Sequence, residues 1–185
     1  MASKSASFVG GVALSLLLGI MPVFAQEFVV RHFATEEATI TNAFSDAKAG
    51  KIVTMPVEEP VRKKMAHHLG SRWDIPKARW TELRQNAKLV GYALILEEIG
   101  KHQPITFCII LDAKKAVKLV AVLDYRESVG SDIRKKRFMK QFEGKTISNL
   151  PDISQTIPIT GATLSSWAAV IAVKKALLIG EYIIP

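Results

Sequence analysis

The chain has 185 residues, 49% of them apolar and 23% charged, with a formal net charge of +8; that is the size and composition of one compact domain and excludes collagenous, disordered and multidomain organisations. Its single cysteine, Cys108, excludes a disulfide framework and any zinc or redox site built on a pair of thiols. The excess of Lys and Arg, 25 against 17 acidic residues, is dispersed, and its densest runs, Arg62-Lys63-Lys64 and Arg134-Lys135-Lys136-Arg137, lack the interleaved aromatics of a nucleic-acid surface, so no nucleic-acid partner is expected.

The N-terminus reads as an export leader. Residues 1–7 carry one positive charge, Phe8 to Ile20 form an uncharged apolar run, and Met21-Pro22-Val23-Phe24-Ala25 breaks that run and ends on small residues. This pattern predicts a secretory signal peptide cleaved after Ala25, leaving residues 26–185 as a single exported domain, periplasmic or otherwise extracytoplasmic. The run is short of the roughly 20 residues a membrane span needs, and no later apolar stretch is expected to reach that length.

Beyond the leader, residues 35–48 and 57–69 read as helices, the second bracketed by Pro56 and Pro60 and closed by Gly70. Residues 71–86 read as irregular or short helical structure anchored by Trp73 and Trp80. The period then changes: residues 89–97, 104–111 and 116–125 are rich in Val, Ile, Leu and aromatics with short links between them, which predicts an antiparallel meander. Residues 131–142 read as a helix, 145–160 as an irregular loop, and the last helix is expected from Leu164 to about Ile179, stopped by Gly180. The fold class is therefore α+β: an antiparallel sheet, a three-strand meander with or without extra strands, packed by N-terminal and C-terminal helices.

The chemistry concentrates at Ile159-Thr160-Gly161-Ala162-Thr163-Leu164-Ser165-Ser166, where a turn of small residues feeds a long helix. Gly161 and Ala162 let backbone approach a ligand, and the open N–H groups of a first helical turn favour an anion such as a phosphate. A Thr or Ser before a helix is also the usual N-cap, and spacing alone leaves both readings open. Other candidates are weaker. His67 and His68 are adjacent and diverge on a helix, Glu58-Glu59 and Glu97-Glu98 lack the opposed geometry of paired carboxylates, and Glu127 has no defined substrate, so neither a metal site nor a catalytic residue is assigned.

Taken together, Thr160-Gly161-Ala162-Thr163-Leu164-Ser165-Ser166, Tyr125-Arg126-Glu127-Ser128-Val129-Gly130 and Gln141-Phe142-Glu143-Gly144-Lys145 resemble the FMN-binding domain family, which includes the flavin subunits of the sodium-pumping NADH:quinone oxidoreductase and of the Rnf electron-transport complex. The likeness covers about residues 88–178, with Gly91-Tyr92-Ala93 in a strand. It implies FMN as the cofactor, joined through its phosphate to Thr163 by a separate flavin transferase, with Thr160, Gly161, Ala162, Leu164 and Ser165 in the surrounding turn and Glu127, Ser128 and Gly130 near the flavin. Ile157 stands where covalently modified members commonly carry Asp.

The function this implies is an exported electron-transfer flavoprotein, passing electrons between redox partner proteins at or near the membrane. It is a carrier more than a self-sufficient oxidoreductase. Two other readings stay open at this point: a small flavin reductase with its own organic substrate, and a non-redox FMN- or phosphate-binding module of a membrane complex. Residues 26–87 carry no motif of their own.

Overall fold

A computed structural model describes residues 29–70 and 74–185; the leader pattern and Trp73 lie outside the described residues. Six strands, β1 (Arg31–His32), β2 (Lys48–Pro56), β3 (Lys77–Gln85), β4 (Lys88–Ile99), β5 (Pro104–Asp112) and β6 (Val117–Tyr125), form one sheet in the order β1-β6-β5-β4-β3-β2. Every pairing is antiparallel. Four α-helices accompany it: α1 (Glu36–Ala43), α2 (Glu59–Leu69), α3 (Lys136–Met139) and α4 (Thr163–Tyr182).

The predicted meander is β4-β5-β6. Its central strand, β5, is buried from Ile105 to Leu111, which explains why that segment reads as a continuous apolar run rather than an alternating one. Ile105, Phe107, Ile109 and Leu111 enter the main core under α4, whereas Cys108 and Ile110 join a smaller cluster with Ile40 of α1 and Leu83 of β3. Burial among those side chains pushes the Cys108 thiol up to about 12, so it is a small core hydrophobe and not a reactive group.

Two further strands replace structure expected to be helical or irregular. The helix predicted over residues 35–48 starts as expected, with Thr35 Oγ1 accepting the Ala38 N–H at 3.1 Å, but ends at Ala43, and β2 begins at Lys48. The segment expected to be irregular contains β3: Ala78 and Trp80 face the main core while Leu83 faces the smaller cluster. Its alternation is hidden by the Lys, Arg and Glu side chains between them. Asn86 and Ala87, at φ 50° and 65°, make the two-residue link from β3 to β4, a conformation normally signalled by Asn-Gly.

Segment 131–142 is not one helix. A 3-10 turn at Ser131–Arg134 is separated from α3 by Lys135, whose backbone is extended, and a second 3-10 turn follows at Lys140–Phe142. Phe138 and Phe142 still bury as anticipated, with ring centroids 5.6 Å apart.

Helix α4 runs from Thr163 through Gly180 to Tyr182. Gly180 does not stop it. A Cβ there would lie 3.0 Å from Leu111 Cδ1 and 3.6 Å from Lys115 Cβ, so glycine serves close packing against β5 and the β5–β6 turn. Contrary to the sequence-based expectation, this helix does have the length and apolar character of a membrane span, but 72% of that stretch is buried inside the protein; it is the core helix. Lys175 reaches the nearly inaccessible Glu98 of β4 at 2.5 Å. Burial raises the Glu98 carboxyl above its ordinary value, and Lys175 opposes that shift.

Candidate functional site

The N-terminal end of α4 meets two connections of the meander, the β4–β5 turn and the turn after β6. The N-cap residue is Ala162, which offers no side-chain acceptor to the first helical turn. Thr163 is therefore the first helical residue and not the cap. Its side chain is exposed, and its hydroxyl has no hydrogen-bond partner among the described residues. Ser166 holds the preceding turn instead: its hydroxyl donates to the Ala162 carbonyl at 2.9 Å and accepts the Ile159 N–H at 3.2 Å. The first main-chain bond of the helix runs from Ser166 N–H to Ala162 O at 2.8 Å, so the N–H groups ahead of it lie in the zone that attracts anions.

The turn after β6 is fixed from three sides. Tyr125 Oη donates to the Val129 carbonyl at 2.5 Å and lies 2.9 Å from Ser165 Oγ. Glu127 Oε1 accepts the N–H groups of His102 at 2.5 Å and Gln103 at 2.9 Å. Arg31 of β1 donates to the Glu127 carbonyl and sits 5.1 Å from the centre of the Tyr125 ring. Burial alone would raise the Glu127 carboxyl; the backbone N–H groups of Gln103, His102 and Lys101 outweigh it and hold the group below its ordinary range. Glu127 is thus an ionised structural acceptor, and its carboxylate is spent on the β4–β5 turn rather than offered as a general base.

Between these connections lies a cleft of about 260 Å³ lined by Lys101, Glu127, Val129 and residues 161–165. Of the residues singled out from sequence, Gly161, Ala162, Thr163, Leu164, Ser165 and Glu127 meet here. Gly130 lies behind the cleft: with φ +88°, its Cα approaches so closely that a Cβ would lie 2.8 Å from Tyr125 Oη and 3.1 Å from Ala162 Cβ. Ser128 is exposed and outside the lining, and Thr160 borders a neighbouring groove. Val129 lies inside the Tyr125–Gly130 segment singled out from sequence, though it was given no role there; Lys101 had no sequence signal, because only the Glu127 bonds to the 102–103 backbone bring the β4–β5 turn to this place.

The cleft suits an anion attached to a flat apolar group. Lys101 supplies a cation, the α4 terminus supplies N–H dipoles, and Gly161, at φ +77°, has no atom within 4 Å of a hypothetical Cβ, so that side is open to a ligand. Val129 and Leu164 give the cleft exposed apolar lining, at 66% and 42% accessibility, and Trp167, one helical turn on from Leu164, is exposed at 41%. Trp167 is therefore a surface aromatic and not part of the core.

An α+β domain with an uncapped helix start beside a close-packed glycine turn is the class these observations define. Residues 100–178 match the family model of the FMN-binding domain. The match spans β5, β6, the Glu127–Gly130 turn and most of α4, and indicates FMN as the cofactor; it begins at Gly100, so Gly91-Tyr92-Ala93 falls outside it. No curated protein matches the chain.

Proposed function

We propose that the protein is an exported electron carrier whose FMN is esterified through its phosphate to Thr163. The observation that carries this reading is the unpartnered Thr163 hydroxyl on the uncapped first turn of α4, facing a cleft that also holds Lys101. Thr163 Oγ1 would bond to the flavin phosphorus with net loss of one water, and the product's negative charge would rest against the α4 N–H groups and the Lys101 ammonium. Bound FMN supplies the redox chemistry; the chain's contribution is to orient it, with Gly161 and Ala162 admitting the phosphate and Val129, Leu164 and Trp167 offering apolar contact to a ring.

No side chain hydrogen-bonds to the Thr163 hydroxyl among the described residues, so none of them stands as the base a threonine nucleophile needs. A separate flavin transferase is therefore part of the proposal, as it is for the flavin subunits of the sodium-pumping NADH:quinone oxidoreductase and Rnf complexes that the sequence resembles. Ile157 departs from the pattern of such proteins, which commonly carry Asp at that position; it is 81% exposed, so a transferase meets an apolar side chain there and not a carboxylate. The leader pattern at residues 1–25 supports export, and a tethered cofactor suits an extracytoplasmic carrier because it is not lost by dilution. Redox proteins at or near the membrane are the proposed donor and acceptor.

The test is expression with its leader in a host supplying a flavin transferase, followed by visible absorbance before and after acid precipitation. Yellow colour that stays with the precipitated chain upholds the tethered carrier. Colour released to the supernatant reduces the reading to non-covalent binding, and a colourless native protein overturns it.

A further inference from the structure

A second groove, about 480 Å³ in volume, lies between segment 132–141 and loop 157–160. It adjoins the flavin cleft, since Thr160 borders the groove and Gly161 the cleft. Its polar lining is almost entirely donors. The Arg137 guanidinium has no carboxylate partner among the described residues. Gln141 Oε1 accepts the Ile157 N–H at 3.1 Å, which turns the Gln141 NH₂ into the free end of that amide. The Thr160 hydroxyl also lacks a partner among the described residues. The single acid of the lining, Asp132, is engaged by Lys135 at 2.9 Å. Against these donors stand Ile157, the most accessible of the large exposed apolar side chains at 81%, and Pro158.

A site of donors beside exposed apolar surface asks for carboxylates attached to apolar side chains. The geometry points to this groove as the docking site for an acidic, apolar-containing segment of a partner protein, with a partner carboxylate on the Arg137 fork and a partner aliphatic or aromatic side chain on Ile157 and Pro158. A protein segment fits better than a small anion, because the lining sets the Arg137 fork beside the exposed apolar side chains of Ile157 and Pro158, which a small anion would leave uncovered. It fits better than an anionic bilayer, because among the described residues the groove's lining holds only two cations, Lys135 and Arg137, one of them already paired, and the directional donors Gln141 and Thr160 specify placed acceptors rather than a diffuse field. The inference deepens the carrier reading and rests on it for what docking achieves: a partner seated here would stand beside the flavin.

The test uses the full mature chain, flavin-loaded and as Thr163→Ala, with a fluorescein-labelled peptide of alternating Glu and Leu, its Gln-for-Glu counterpart, and phosphatidylglycerol vesicles as probes. Fluorescence anisotropy should show binding of the acidic peptide alone, weakened about tenfold or more by Arg137→Gln and severalfold by Ile157→Ser, but less than about twofold by Lys51→Gln on the distant β2 edge. All three positions are exposed, and circular dichroism verifies that each variant is folded. Equal losses at Arg137 and Lys51 would mean diffuse charge, Arg137-dependent vesicle binding without peptide binding would mean a membrane face, and an unbound peptide would mean no docking site; each overturns the proposal. The flavin absorbance of the same samples separates the two claims: yellow protein that ignores the peptide loses the groove alone, and colourless protein that binds it loses the flavin alone.

Discussion

Tyr125 and Ser165, 40 positions apart, are joined hydroxyl to hydroxyl at 2.9 Å behind the candidate flavin cleft. Tyr125 has one proton and gives it to the Val129 carbonyl at 2.5 Å, so Ser165 donates to Tyr125 and its hydroxyl proton is not available to a ligand. What Ser165 offers the cleft is its backbone. The chain Ser165–Tyr125–Val129 thus locks the start of α4 to the turn after β6.

Tyr125→Phe removes both bonds while keeping the ring in the core. The expected cost is about 1–2 kcal/mol in urea unfolding, with the Val129 carbonyl left unpaired, together with lower flavin occupancy, read as the ratio of visible to ultraviolet absorbance. Unchanged occupancy would show that the turn does not need this lock.

The two left-handed glycines at the site should respond differently to the same substitution. Gly130→Ala meets Tyr125 Oη at 2.8 Å and Ala162 Cβ at 3.1 Å on top of φ +88°, and is expected to cost about 2 kcal/mol or more. Gly161→Ala meets nothing within 4 Å at φ +77° and should cost only about 1 kcal/mol. Thermal unfolding of the pair checks the order.

Glu127 provides a pH signature. Its carboxyl is held below the ordinary value of 4.5 in the folded protein, where backbone N–H groups overcome the effect of burial. As the pH falls, the unfolded chain binds this proton first, so the stabilisation is complete above about 4.5 and is lost as the pH drops through the lower folded-state value. Glu127→Gln should cost about 1–2 kcal/mol at pH 7 and progressively less under acid conditions, measured by urea unfolding across that range. A cost independent of pH would contradict an ionised structural role.

Ala87 sits at φ 65° in the two-residue link between β3 and β4, a conformation that glycine adopts freely. Ala87→Gly should therefore stabilise the protein, by about 0.5–1 kcal/mol after allowing for the freer unfolded chain.

The same link explains what the sequence concealed. The β4-β5-β6 meander was legible because Ile105 to Leu111 is buried on both faces and carries no charged residue, Thr106 being its one polar side chain. Strand β3 was not, because Lys77, Arg79, Glu82 and Arg84 mask its two faces and Asn86-Ala87 lacks the glycine that usually announces a hairpin. The turn at Thr160–Ser166 was legible as the start of a long helix, yet the competing N-cap reading of Thr163 could be resolved only by seeing that Ala162 occupies the cap. Lys101 was illegible: its place depends on a carboxylate 26 positions away folding the β4–β5 turn back onto the cleft.

The central claim is a phosphoester at Thr163, and the most direct measurement is the intact mass of the denatured mature protein after export in a host supplying a flavin transferase, beside Thr163→Ala prepared identically. The account predicts a gain equal to FMN minus one water that is absent from the Thr163→Ala chain. An unmodified mass in both, or the same gain in both, would contradict it.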